Sequence, residues 1–156
     1  MFQGGARELV HGLKYHHQSV LAEPMAELLF RFLEEDPLPA DVLVPVPLFS
    51  RRQRVRGYNQ SALLARALAR RTGLPMDGRT LVRVRSTASQ AETRNVDERR
   101  VNVSDAFECR GRQLAGKRVL LVDDVSTTGA TLDACAQALV RGNVASAWAL
   151  TFAHED

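Results

Sequence analysis

Two adjacent carboxylates, Asp123 and Asp124, end an apolar run and are followed at once by hydroxylated residues and a glycine, in the stretch LVDDVSTTGAT from Leu121 to Thr131. An apolar run of this kind reads as a buried strand delivering acids to the rim of a sheet. In an open parallel sheet that rim, beyond the carboxyl ends of the strands, is where ligands bind. Ser126, Thr127, Thr128, Gly129, Ala130 and Thr131 then lead into a helix. Free backbone N–H groups, hydroxyls and the positive end of a helix dipole converge there on one small volume, which is the make-up of a phosphate cradle.

Acids beside an anion site require a ligand with two kinds of chemistry. It must carry a phosphate, and also something that welcomes carboxylates, such as vicinal hydroxyls or a magnesium ion. A ribose 5-phosphate unit satisfies both. The purely structural alternative is that Asp123 and Asp124 cap the following turn while Thr127 and Thr128 cap the helix.

The elements that must hold this corner are legible in the periodicity. Leu21, Met25, Leu28, Leu29, Phe32 and Leu33 recur at helical spacing between Val20 and Leu33, with Ser19 as the expected cap. DVLVPVP is a short valine-rich strand ended by Pro45 and Pro47. NQSALLARALARRTG predicts a helix capped by Asn59 and stopped by Gly73 and Pro75, and TLVRV predicts a second strand. KRVLLVDDV is the most apolar strand, Thr131 to Arg141 a helix closed by Gly142, and SAWALTFA a last strand. Strands alternating with helices predict a doubly wound α/β fold with a mainly parallel sheet flanked by helices. Between Arg85 and Asp105 the chain is polar, charged and aperiodic over a length unusual for a passive connection.

With 156 residues, the chain is expected to form one domain burying about two thirds of its unfolded surface. It is 45% hydrophobic, with no apolar run near the roughly 18 residues of a membrane span and no secretory-type start, so the expected location is cytoplasmic. Cys109 and Cys135 are far apart in sequence and form no Cys-x-x-Cys pair, so they give no basis for a disulfide framework or a zinc ribbon and are expected to be free thiols. The net charge of +3 is modest, and nearly all the cations are arginine, whose planar fork suits phosphate. His16 and His17 have no third partner in sequence and read as solvent-facing. RRQRVR has no interleaved aromatic, which weakens a nucleic-acid reading. Trp148, Phe152 and Phe107 read as core, as does Cys135 on a face with Leu132 and Leu139.

VLLVDDVSTTGAT resembles the phosphoribosyl diphosphate (PRPP) signature of type I phosphoribosyltransferases. LKY at Leu13–Tyr15, VPVPLFSRRQRVRGYNQ at Val44–Gln60, RVRSTASQAE from Arg83 and RRVNVSDAF at Arg99–Phe107 resemble the ComF (competence protein F) family of such domains. The resemblance implies a type I phosphoribosyltransferase-like fold with a mobile hood loop. Residues 1–36 would form its N-terminal helical part and residues 40–156 the core. It further implies that Asp123 and Asp124 meet the ribose hydroxyls, and magnesium indirectly through the sugar, and that Thr127, Thr128, Gly129, Ala130 and Thr131 hold the 5-phosphate. Arg51, with Arg52 and Arg56 behind it, would face pyrophosphate. Arg99, Arg100, Gln90 and Asn102 would act from the hood, the two arginines in catalysis.

The implied ligands are Mg2+ with PRPP or a related ribose 5-phosphate compound. No zinc is expected, since the family's four-cysteine ribbon has no counterpart here. Some purine-using relatives place an aspartate where this chain has Thr127, so that general base is not carried over. The function implied is transfer or sensing of a phosphoribosyl group, linked to DNA uptake. The alternative is a non-enzymatic adaptor that uses the nucleotide site and binds single-stranded DNA or a competence-machinery protein. A homodimer is left open.

Overall fold

The computed structural model describes residues 12, 19–48, 57–85 and 105–154. The first helix lying wholly within these residues starts later than the apolar periodicity predicts. Ser19–Leu21 form a single 3-10 turn and the α-helix α1 runs over Ala22–Glu35, with Leu21 at the cap position and no side-chain cap. Pro24 explains the shift: it belongs in a first helical turn, where a missing N–H costs no hydrogen bond. Helix α1 buries Ala22, Met25, Ala26 and Leu29, spaced three and four apart on one face.

Strand β1 (Val42–Pro45) is buried along its whole length. Helix α2 (Gln60–Thr72) follows, with Asn59 as cap and Gly73 in the left-handed region at φ 73°, both as the sequence predicts. Strands β2 (Leu81–Arg83) and β3 (Phe107–Cys109) form a small antiparallel ribbon. Strand β4 (Arg118–Ser126), helix α3 (Ala130–Arg141) and strand β5 (Ser146–His154) complete the described chain.

The main sheet has the order β1-β4-β5 and is parallel throughout. β1 meets β4 from Val42 opposite Val119 to Pro45 opposite Val122, and β5 meets β4 from Ser146 opposite Arg118 to His154 opposite Ser126. A bridge from Leu43 to Met76 extends the sheet past β1. β4 is therefore central, and its residues Val119 to Val122 are at most 1% exposed. A strand covered on both faces reads as an unbroken apolar run, and this is the run that the sequence displays.

Two hydrophobic clusters lie on opposite faces. One joins α1 and α2 to Leu43, Leu120, Val122 and Leu150; the other joins α3 and the ribbon to Val42, Val44, Val119 and Leu121. The architecture is the helix-flanked parallel α/β sheet that the alternation of elements predicts. Arg71 of α2 ties the helices of the first layer together by bonding Glu23 at 2.7 Å and Glu27 at 3.2 Å, and Arg70 also meets Glu23. At the opposite end of the sheet Arg118 clamps Asp41 at 2.6 Å and holds its carboxyl down at about 2.

The core expectations divide at β5. Phe107 is 3% exposed, Phe152 packs against the first cluster and Cys135 is fully buried, as expected. Trp148 is not core: it is 45% exposed, because β5 has a strand neighbour on one side only among the described residues. Gly142 ends α3, but with φ −79°; the left-handed residue is Asn143 at φ 63°. Gly142 is required for space instead, since a Cβ there would lie 2.4 Å from Cys109 Sγ. No helix among the described residues is long and apolar enough to cross a membrane.

Candidate functional site

The carboxyl end of β4 carries Asp123 and Asp124, which are 8% and 2% exposed. Two charges buried side by side are costly unless something holds them or a ligand uses them. The holding groups come from the start of α2. Ser61 Oγ donates to Asp123 Oδ1 at 2.7 Å, the Asp124 amide donates to the same oxygen at 3.0 Å, and Gln60 Nε2 donates to Asp124 Oδ1 at 3.5 Å. Burial raises the Asp123 carboxyl to about 7, the negative Asp124 beside it pushes the same way, and the Ser61 bond opposes both.

A ring of hydrogen bonds fixes α2 over the acids. Val46, just past β1, donates its N–H to Val122 O at 3.0 Å and accepts Asn59 Nδ2 at 3.0 Å; Asn59 Oδ1 in turn accepts the Ser61 N–H at 3.0 Å. Asn59 thus caps a helix and fastens it to the sheet with one amide group. Asn59→Ala is expected to lower stability by about 1 kcal/mol, read as a fall in the urea midpoint with unchanged slope.

Beyond Ser126 the chain turns through Thr127 and Thr128, of which the second is exposed, and enters α3. The cap is Gly129 at φ 75°, a conformation that glycine adopts without a Cβ penalty, and having no side chain it makes no side-chain cap bond. Among the described residues the threonine hydrogen bond found there is a long one, Thr128 Oγ1 accepting the Ala130 N–H at 3.4 Å. Threonine thus closes the helix end by one weak bond only, which leaves most of the first-turn N–H groups without a side-chain acceptor among the described residues. First-turn N–H groups have no acceptor within their own helix, and here they stand next to a buried acid pair. The structure brings Asp123, Asp124 and the 127–131 loop together at one sheet end, as the sequence predicts.

Arg51, Arg52 and Arg56, and the hood residues Gln90, Arg99, Arg100 and Asn102, lie outside the described residues. So do His16 and His17. Sequence reasoning missed Ser61 and Gln60, although a signal was present. Ser61, Leu64, Ala65 and Leu68 share one helical face, and a serine on an otherwise apolar stripe marks a buried polar partner.

No group of three or more His, Cys, Asp or Glu suited to hold a metal occurs among the described residues. Two carboxylates alone do fit magnesium, which keeps several waters and takes its remaining ligands from substrate oxygens.

The family model described as the phosphoribosyl transferase domain matches residues 59–154, from the α2 cap through the acid pair to the end of β5. The chain belongs to this family. The phosphoribosyltransferase-type domain is 40% identical over 144 residues to DNA utilization protein YhgH of Salmonella typhi, covering 88% of this chain and 62% of that protein. It is 34% identical over 133 residues to competence protein F of Haemophilus influenzae, covering 80% and 57% respectively. These relatives make it a ComF-type member of the family, and the chain spans about six tenths of their length.

Among solved structures, the domain resembles glutamine PRPP amidotransferase from B. subtilis complexed with ADP and GMP (TM-score 0.61, 17% identity, covering 92% of this chain and 30% of that one). It also resembles an adenine phosphoribosyltransferase (TM-score 0.56, 17% identity, covering 90% and 74%). Likeness at these identities establishes the phosphoribosyltransferase fold.

Proposed function

We propose that this domain binds PRPP together with magnesium and transfers its phosphoribosyl group. The observation that carries this reading is the buried acid pair at the end of β4 joined directly to the weakly capped, glycine-led start of α3. Carboxylates accept hydrogen bonds from the ribose 2- and 3-hydroxyls, while the loop from Thr127 to Thr131 grips the 5-phosphate through backbone N–H groups. Holding the ring at both ends orients C1 for reaction.

Transfer breaks the C1–O bond to pyrophosphate and forms a bond from C1 to the acceptor, while positive charge builds on the sugar and negative charge on the leaving group. The negative charge carried by the ionised acid pair favours the first, and arginines at Arg51, Arg52, Arg56, Arg99 and Arg100 are assigned to the second. Magnesium, when bound with PRPP, supplies further neutralisation of the pyrophosphate oxygens. Hood closure from the 85–102 segment is proposed to exclude water, so that the acceptor rather than hydrolysis takes the sugar.

Calorimetry with PRPP in the presence and absence of Mg2+ tests binding, and pyrophosphate release across a panel of nucleobases and amines tests transfer. Saturable, magnesium-dependent binding is expected; its absence would end this reading. The relatives' names, DNA utilization protein and competence protein F, favour a second reading in which the domain is an adaptor in DNA uptake. Tight single-stranded DNA binding with a steep salt dependence, and no acceptor giving turnover, would decide for the adaptor.

A further inference from the structure

We propose that Ser61 and Gln60 are positioning residues which fix the Asp123 and Asp124 carboxylates for a vicinal diol, and so set a preference for ribose over 2-deoxyribose phosphates. This rests on the reading of the acid pair as a ribose site. Neither residue belongs to the 123–131 signature; they act from a helix more than sixty residues earlier in the chain.

The geometry of Asp123 is the main support. Its Oδ1 receives two hydrogen bonds, from Ser61 Oγ at 2.7 Å and from the Asp124 N–H at 3.0 Å. A carboxylate held twice at one oxygen cannot rotate freely, so its other oxygen keeps a set direction for a ligand hydroxyl. Asp124 receives Gln60 Nε2 at 3.5 Å, a longer and weaker restraint. Ser61 and Gln60 are 1% and 5% exposed, so solvent does not compete for these bonds.

The chemical type of the two partners matters as much as their distance. A hydroxyl and a carboxamide orient a carboxylate without cancelling its charge. An arginine at either position would hold the acid more firmly, yet would also compete with the ligand for the same oxygens. Orientation depends further on a rigid support, and the start of α2 has one: the bonds from Asn59 to Val46 and from Val46 to Val122 tie Ser61 to the strand that carries the acids. A diol needs two acceptors at a fixed separation. A 2-deoxy sugar offers only one of the two hydroxyls and gains little from that precision.

The test is calorimetric titration of the wild-type chain, Ser61→Ala, Ser61→Thr and Gln60→Leu with ribose 5-phosphate and with 2-deoxyribose 5-phosphate, at one Mg2+ concentration. The wild type is expected to prefer the ribose compound. Ser61→Ala is expected to lose about tenfold in affinity for ribose 5-phosphate and to stay within about twofold for the deoxy compound, so the preference collapses. Ser61→Thr, which keeps the donor, is expected to retain it, and Gln60→Leu to lose about threefold in the same selective way. A purely structural role would weaken both ligands equally, and equal loss or no loss in Ser61→Ala overturns the proposal. Should Ser61→Ala fail to fold, the selectivity of Gln60→Leu decides by the same criterion. A wild-type chain that binds neither sugar phosphate, or does not distinguish them, would instead overturn the ribose-site reading and this inference with it.

Discussion

Replacing both acids, Asp123→Asn with Asp124→Asn, is expected to weaken PRPP binding by about 100-fold or more while leaving the chain folded. Each change swaps a charged acceptor for a neutral amide of almost equal shape, so packing around the 8% and 2% exposed side chains is kept. On the proposed reading, what is lost is two charge-assisted hydrogen bonds to sugar hydroxyls, together with the field that would favour a magnesium complex. At about 1.5 kcal/mol or more for each charged bond, two such losses exceed a factor of 100. Calorimetry on the double variant checks this, with inorganic phosphate as a control for the 127–131 loop. Equal PRPP affinity in variant and wild type would remove the acid pair from the site.

The single change Asp123→Asn is expected to do the opposite to stability. The carboxyl of Asp123 stands at about 7 in the fold, against 3.8 as its ordinary value, chiefly because burial disfavours its charged form. The folded state therefore holds a proton that the unfolded state releases. Its contribution to stability is complete below about pH 4 and shrinks as pH rises toward 7, at up to about 1.4 kcal/mol for each pH unit. Above that window the folded chain carries the full cost of two buried neighbouring charges.

Asparagine keeps an Oδ1 to accept from Ser61 Oγ and from the Asp124 N–H and removes the titration. At pH 7.5 the variant should be more stable by about 2 kcal/mol, less than the whole window, because the new amide has no assured partner. For a chain of this size that is a rise of roughly 4–8 °C in Tm. The gap should narrow toward pH 4.5. Melts at both pH values check the sign, and a destabilised or pH-independent variant would refute it. Stability surrendered at the residues that bind ligand is a common signature of a working site.

How much of this was legible in the residues follows from the range of the forces involved. β4 could be read because burial on both faces leaves an unbroken apolar run, and α2 because Asn59 and Gly73 act on backbone groups within a few residues. The acid pair and its loop were legible for the same reason: strand end, turn and helix start are contiguous in the chain. Partners distant in sequence were harder. Nothing local to Asp123 announces Ser61, although the serine betrays itself as a polar residue on an apolar helical face.

The antiparallel partner of β2 was missed because Phe107–Cys109 is only three residues long, too short for a period to emerge. Trp148 was misplaced for a different reason. Alternation shows which side chains share a face of a strand, but whether that strand lies at the centre or the margin of a sheet depends on topology. The start of α1 moved because Pro24 outweighed an available serine cap.

The position of Trp148 has an optical consequence. It is the chain's single indole, and it lies opposite Leu120, about 10 Å along the strands from Asp123. With Trp148 45% exposed, its emission is expected to be that of a half-hydrated chromophore, responsive to whatever covers that part of β5 and little affected by occupancy at the far end of β4. A blue shift on raising the protein concentration would report coverage of that flank, while titration with a sugar phosphate should leave the spectrum flat. Coverage of that flank and ligand binding at the end of β4 would thus be read as two independent signals without any added label.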